Sequence, residues 1–310
     1  MATQSWAHNF DHDGDAGFQA WGDDLNTRLD AVGLVQTADT GQIDWSTVSR
    51  PSFNTMAGYE IWRFDDALQG TAPIFLRFDF GTDNEADRPR IEVTVGTGSN
   101  GSGTLTGTVT SAYEITAGDG NTDGTAAQSF LCHVDGFLGL VWGRNGPEAN
   151  LNWGTFHLCR SCDSSGDPTA SGAFVMYQNG PVLFSTTVNA TMAAHASIDF
   201  ANSTVWEAAA PASTAFPACC LIPGTVGNIT LPNGDTPVWL LWGAKPDAFP
   251  VFGLCVVHED HVSETGTFSA SPVGATSRTF INVGAGGFNN IMFDAQSTEL
   301  TAYDLCMVWE

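Results

Sequence analysis

Six groupings of side chains in this 310-residue sequence are of types that could do chemistry. The densest hold carboxylates and imidazoles: Asp65-Asp66, and Glu259-Asp260 flanked by His258 and His261. Cleavage of a glycosidic bond needs two carboxyl groups facing each other across a groove. Adjacent residues on a strand point to opposite faces, so neighbours alone cannot supply that pair. Both clusters therefore read as solvated loop charge. No Gly-x-Ser-x-Gly nucleophile elbow occurs either. Cys159-x-x-Cys162, with His157 just before it and Cys219-Cys220 further on, has the residue types of a zinc site. A single CxxC is weak support, and two thiols or a local disulfide are the alternatives. Asp119-x-Asn121-x-Asp123-Gly124 resembles the first half of a calcium loop, but Phe130 stands where the twelfth-position Glu belongs. Asp11-x-Asp13-x-Asp15 fails in the same way, with Gly22 at its end. Gly96-x-Gly98-x-x-Gly101 has the letters of a dinucleotide fingerprint, yet Thr104 to Thr110 reads as a strand where a helix is required. The expectation is a glycine hairpin. No catalytic, cofactor-binding or metal-binding set is assigned, and the chain is not expected to be an enzyme. Trp142, Trp153, Trp206, Trp239 and Trp242 are numerous for one region; such rings either fill a core or stack on sugars and anchor interfaces.

The elements that would position these groups are mostly strands. Phe18, Trp21, Leu25, Leu29 and Val32 recur at steps of three and four, which predicts a helix over Phe18 to Val35 stopped near Gly33. Tyr59 to Phe64 is a short aromatic strand. Ile74, Leu76, Phe78 and Phe80 alternate with Phe75, Arg77 and Asp79, and Ile91, Val93 and Val95 alternate with Glu92 and Thr94. These two runs predict an antiparallel pair packed on the helix, joined by a polar loop over Gly81 to Arg88. Further apolar runs cover Ser129–Trp142, Ala173–Tyr177, Pro181–Val188, Pro237–Trp242, Phe249–His258, Thr279–Val283 and Leu305–Trp309. Turn signals such as Asn179-Gly180 and Asn233-Gly234 separate them. Ala-rich patches at Ala193–Ala196 and Ala208–Ala212 suit a short helix or a loop. The expected fold is mainly β. A small α+β domain with one long helix (residues 1–112) precedes an antiparallel, β-sandwich-like domain (residues 113–310).

Charge narrows the partners. Asp and Glu total 34 against 10 Lys and Arg, for a formal net charge of −24, and Lys245 is the single lysine. Phosphate neutralisation needs basic side chains, so nucleic acid and anionic membrane surfaces are not expected partners. No apolar run reaches the length of a membrane span, and Met1 to Asp15 lacks the apolar stretch of a secretion signal. Assembly in a cytoplasm is the expectation. Seven cysteines, an odd number, do not suggest a disulfide framework. Cys132, Cys255 and Cys306 sit in apolar runs and read as small buried hydrophobes.

Five stretches in order, Phe18-Gln-Ala-Trp-Gly22, Gly33-Leu-Val-Gln-Thr-Ala-Asp-Thr-Gly-Gln-Ile-Asp-Trp45, Gly58-Tyr-Glu-Ile-Trp-Arg-Phe-Asp-Asp66, Phe75-Leu-Arg-Phe-Asp-Phe-Gly-Thr82 and Val93-Thr-Val-Gly-Thr-Gly98, resemble a family of tailed-bacteriophage structural proteins. The resemblance covers roughly residues 1–110. It implies a virion protein, while the place on the particle does not follow from these motifs. Taken with the strand-rich pattern and the acidic composition, the leading expectation is the tail tip, baseplate or fibre, with the first domain docked to the particle and the β-rich domain facing outward in a host-adhesion role. Other virion proteins are the implied partners, with a host surface glycan or protein as a further one. A homo-oligomer, guessed to be a trimer, is expected. A capsid decoration or head-fibre protein shares these features. A carbohydrate-binding or carbohydrate-cleaving module is the alternative of another class. The family carries no catalytic residues to transfer.

Overall fold

The structure, a computed structural model, describes residues 2–9, 14–82, 89–116, 126–144, 154–178, 195–208, 238–243, 249–258, 266–270, 277–284 and 303–310. It opens with strand β1 (Ala2–Asn9) and helix α1 (Gly14–Ala31). Six strands follow: β2 (Val35–Gln36), β3 (Thr55–Arg63), β4 (Phe75–Thr82), β5 (Pro89–Ser99), β6 (Leu105–Val109) and β7 (Tyr113–Thr116). Next come β8 (Ala126–Val134), β9 (Phe137–Arg144), β10 (Gly154–Cys162), β11 (Pro168–Gln178), β12 (His195–Asp199) and β13 (Thr204–Ala208). The last five are β14 (Val238–Gly243), β15 (Phe249–His258), β16 (Thr267–Ala270), β17 (Arg278–Gly284) and β18 (Tyr303–Val308). Among the described residues every strand pairing is antiparallel, and the fold is the expected mainly-β one with a helix near its start.

Helix α1 buries Phe18, Trp21, Leu25 and Leu29, the stripe its spacing predicts. It starts four residues before the expected Phe18 and stops at Ala31 rather than Val35. Gly33, at φ +87°, adopts the left-handed conformation that ends it. The Leu34 amide donates to the Leu29 carbonyl (3.1 Å) and the Gly33 amide to that of Asp30 (2.8 Å), so two otherwise orphaned carbonyls are satisfied. Leu34 and Leu29 are both buried in the core this turn closes over.

Strands β2 to β7 form an outer sheet in the order β2-β3-β4-β5-β6, with β7 also pairing β5. The predicted pair is present in register: Leu76 faces Val95, Phe78 faces Val93, and Phe80 faces Ile91. Those six side chains are buried, while Phe75, Arg77, Asp79, Glu92 and Thr94 are half-buried. Gly81 and Thr82, expected to open a loop that runs to Arg88, belong to β4 instead; residues 83–88 lie outside the described residues.

A central ladder runs β1-β8-β9-β10-β11-β12-β13. A third runs β14-β15-β18-β17-β16. One pair, Ser161 opposite Val251, joins these two into a continuous twelve-stranded sheet. The central ladder is covered on both faces. Leu131, Leu138, Leu140, Phe156, Leu158, Val175 and Ile198 share one core with α1 and the outer sheet. On the opposite face, Phe130 meets Trp309 edge-on (ring centroids 5.9 Å apart). There Gly139 leaves room for Met307: a Cβ on that glycine would fall 2.7 Å from the Met307 sulfur. Double coverage explains the nearly unbroken apolar run of β8 and β9, since neither side of the strand can be polar at low cost.

Hydrogen bonding crosses residue 112 in both directions. Strand β1 pairs with β8 in the central ladder, and β7 pairs with β5 in the outer sheet. Ala196 and Ala208, expected in a short helix or loop, lie in β12 and β13. The Asn-Gly turns at 179–180 and 233–234 and the run at 181–188 lie outside the described residues.

Candidate functional site

The charged and polar side chains buried between the layers are the groups best placed to do something specific. Arg160 projects from β10 toward the outer sheet. Its Nε and Nη2 donate to Asp66 Oδ2 and Oδ1 at 2.6 and 3.0 Å, and its Nη1 donates to the Ala72 carbonyl at 2.8 Å. Both side chains are sealed from solvent, 0% and 3% exposed. The rings of Phe64 and Phe200 lie 5.8 Å from the guanidinium carbon. Asp66 sits in the connection between β3 and β4, and its Oδ1 also accepts from the Leu68 amide at 3.1 Å. A bidentate pair with a third bond to a backbone carbonyl compensates the desolvation of two charges, which neither could bear alone.

Glu60 is the second buried charge-bearing group. Its Oε1 accepts from the Trp45 indole at 2.7 Å and from Asn26 Nδ2 at 2.6 Å; its Oε2 accepts from the Trp62 indole at 2.9 Å. Burial pushes its pKa up, and the three donors pull it back only in part. Gly22 belongs to the same assembly. A Cβ there would fall 2.0 Å from the Trp45 ring, so the indole occupies the space a side chain would need.

Two histidines mark the central ladder. The Nδ1 of His133 lies 3.0 Å from the Val32 carbonyl, which can only accept, so that nitrogen carries the proton. Burial depresses the His133 pKa. His157 is fully buried on the other face, stacked near Phe137, and burial pushes its pKa down to about 3. Neither of its ring nitrogens has a hydrogen-bond partner among the described residues, nor do Thr155 Oγ1 and Ser197 Oγ on the same face. At the edge of the ladder, Glu207 accepts from the backbone amide of Ser111, from Ser111 Oγ (2.7 Å) and from the Tyr113 hydroxyl (3.1 Å), tying β13 to the outer sheet.

The groupings marked in the sequence fall differently. Asp65 and Asp66 are separated in role: Asp66 holds Arg160, while Asp65 is exposed beside Arg63. Asp66 is thus not the solvated loop charge expected of it, because Arg160 on the neighbouring ladder needs a buried counter-charge. Cys159 and Cys162 are buried thiols on β10, with His157 on the same strand. Among the described residues no group of three His, Cys, Asp or Glu is arranged to hold a metal ion. Gly96 and Gly98 lie in β5 and Gly101, at φ +79°, in the turn that leads to β6, the glycine hairpin expected. Asp15, in the first turn of α1, accepts from the Arg50 amide at 2.8 Å. Asp11, Asp13, Asp119, Asn121, Asp123, Cys219, Cys220, Glu259, Asp260, His261 and Trp153 lie outside the described residues. Trp142, Trp206, Trp239 and Trp242 lie in strands β9, β13 and β14.

Sequence reasoning passed over Glu60, Arg160 and Glu207. For Arg160 a signal was present: an arginine in the run Phe156-His-Leu-Cys-Arg-Ser-Cys162, otherwise apolar or small, must find a carboxylate if that strand is covered on both faces. Neither a family model nor a curated protein matches the chain. No described helix is long and apolar enough to cross a membrane.

Proposed function

We propose that this chain is a structural component of a tailed-bacteriophage particle, placed at the tail tip, baseplate or fibre. What supports the reading is where the five stretches of resemblance go. Phe18 to Gly22 lies in α1, Gly58 to Arg63 in β3, Phe75 to Thr82 is β4, and Val93 to Gly98 lies in β5. Gly33 ends the helix and Trp45 seats against Gly22. Two of their carboxylates are spent on internal bonds: Glu60 on two indoles and Asn26, Asp66 on Arg160. Stretches that interlock as one packing unit suit a shared attachment module more than a reaction centre. The strongly acidic, lysine-poor composition fits a chain that meets protein partners rather than nucleic acid.

Immunogold electron microscopy of purified particles, with an antibody raised to residues 113–310, tests this. Gold at the tail end supports the reading. Gold scattered over the head replaces it with a decoration or head-fibre role. Particles without gold, when the same antibody reacts with the infected-cell lysate, overturn it.

A further inference from the structure

Strands β15 and β18 place two cysteines directly opposite each other. In their antiparallel register Cys255 faces Cys306, flanked by Leu254 opposite Met307 and Val256 opposite Leu305. Directly opposed residues of an antiparallel pair project from the same face, with Cα atoms about 4.5 or 5.5 Å apart according to the type of pair. Both spacings lie inside the range of about 4.4–6.8 Å that a disulfide spans. Both residues are thiols in the structure, and both are fully buried. The remaining described cysteines are set differently. Cys132 and Cys159 belong to β8 and β10, with β9 between them, and Cys159 and Cys162 are three residues apart along one extended strand.

We propose that Cys255 and Cys306 are a modification site: a cross-strand dithiol that a small peroxide closes to a disulfide. The thiolate sulfur of one attacks a peroxide oxygen. The O–O bond breaks, hydroxide leaves and takes up a proton to become water, and a sulfenic acid remains. The sulfur of the other then attacks the sulfenic sulfur. The S–S bond forms, the S–O bond breaks, and the departing oxygen leaves as a second water with the thiol proton. Two thiols are oxidised and one hydrogen peroxide is reduced to two waters. The bond pins β15 to β18 and closes a chain loop that includes residues 259–302, so it restrains the unfolded chain more than the folded one. A peroxide is the fitting oxidant because a buried pair admits a molecule of that size more readily than a bulky disulfide. This inference is independent of whether the chain belongs to a particle.

The test is peptide mass mapping of the full chain under non-reducing conditions, before and after hydrogen peroxide, with all remaining thiols alkylated in denaturant. The expected result is one linked peptide pair carrying Cys255 and Cys306, 2 Da lighter than the two free peptides. A rise in Tm of roughly 5 °C should accompany it and reverse with reductant. Cys255→Ala and Cys306→Ala should each abolish the linked pair and the rise. Full alkylation of Cys255 and Cys306 after peroxide, their oxidation to unlinked acids, or linkage of either to another cysteine overturns the proposal. The wild-type map decides this alone should a variant fail to fold.

Discussion

In the outer sheet, Arg77 and Asp79 stand on the half-exposed face of β4, and Arg90, Glu92 and Glu114 on that of β5 and β7. They pair with one another where water can reach them. In the central ladder, Arg160, His157, Thr155 and Ser197 stand on strands with a layer against each face. Strand pairing is antiparallel in both regions, and the residue types overlap. The difference is the dielectric into which each side chain projects. A guanidinium on β4 has a neighbouring carboxylate, the Tyr59 ring 4.4 Å away and water as a fallback. A guanidinium on β10 has Asp66, the Ala72 carbonyl and the rings of Phe64 and Phe200, but no water to fall back on. Loss of one partner is therefore a small event in the first region and a large one in the second.

The strongest way to break this contrast is Asp66→Ala. It strands Arg160 between the layers and should destabilise the fold by about 3–5 kcal/mol, read as a lower urea midpoint. Should Asp66→Ala cost no more than loss of an exposed pair, water reaches Arg160 between the layers. Glu60→Gln tests the same principle at the helix. All three of its neighbours donate, so the new amide must face one donor with another. A loss of about 1–3 kcal/mol is expected by the same titration. Gly22→Ala should also cost about 1–3 kcal/mol, although alanine favours helix, because the added methyl meets the Trp45 ring; calorimetry would show a lowered Tm.

His157 sharpens the contrast through pH. Its folded pKa is depressed to about 3 against an ordinary 6.5. The folded state therefore binds fewer protons than the unfolded one below pH 6.5, and stability present above that pH is lost as pH falls toward 3. His133 is shifted in the same direction. Glu60, shifted up, has the opposite sign, since stability is lost as pH rises past 4.5. The informative comparison is hence between variants: from pH 7.5 to pH 5, His157→Leu should lose less of its urea midpoint than the wild type. Smallest of all is Arg77→Ala. Its partner Asp79 keeps some contact with water, and the change should cost below about 1 kcal/mol, less still in high salt.

The same dielectric contrast governs what was legible in the sequence. Where one face is wet, the alternation of Ile74, Leu76, Phe78 and Phe80 with Phe75, Arg77 and Asp79 writes the register into the chain. That pair of strands, and the stripe on α1, follow from spacing alone. Where both faces are dry, periodicity disappears. The run from Ser129 to Trp142 announces burial but not that it folds into β8 and β9 around the Asp135-Gly136 turn. Long-range partnerships leave still less trace. Asp66 and Arg160 are 94 positions apart, and Asp66 looks the same as Asp65 until the ladder that carries Arg160 is in place. Glu60 leaves no signal in the sequence, because a carboxylate between Tyr59 and Ile61 resembles any half-exposed strand residue. Only the third dimension brings both indoles and Asn26 to it.

Strand β1 carries a consequence for how the chain folds in time. Its partner is β8, with Ala2 opposite His133 and Asn9 opposite Ala126. Between them lie α1 and the whole outer sheet, elements joined mainly by nearer contacts. The segment from Gly14 to Thr116 can therefore assemble while β1 waits. Closing so long a loop adds little free energy beyond that of a loop half its length, but it delays the event. At about 5–20 residues per second of synthesis, the interval between β1 and its partner is on the order of 10 s. During that interval β1 is an unpaired edge, and a chaperone that holds extended strands would find its substrate there.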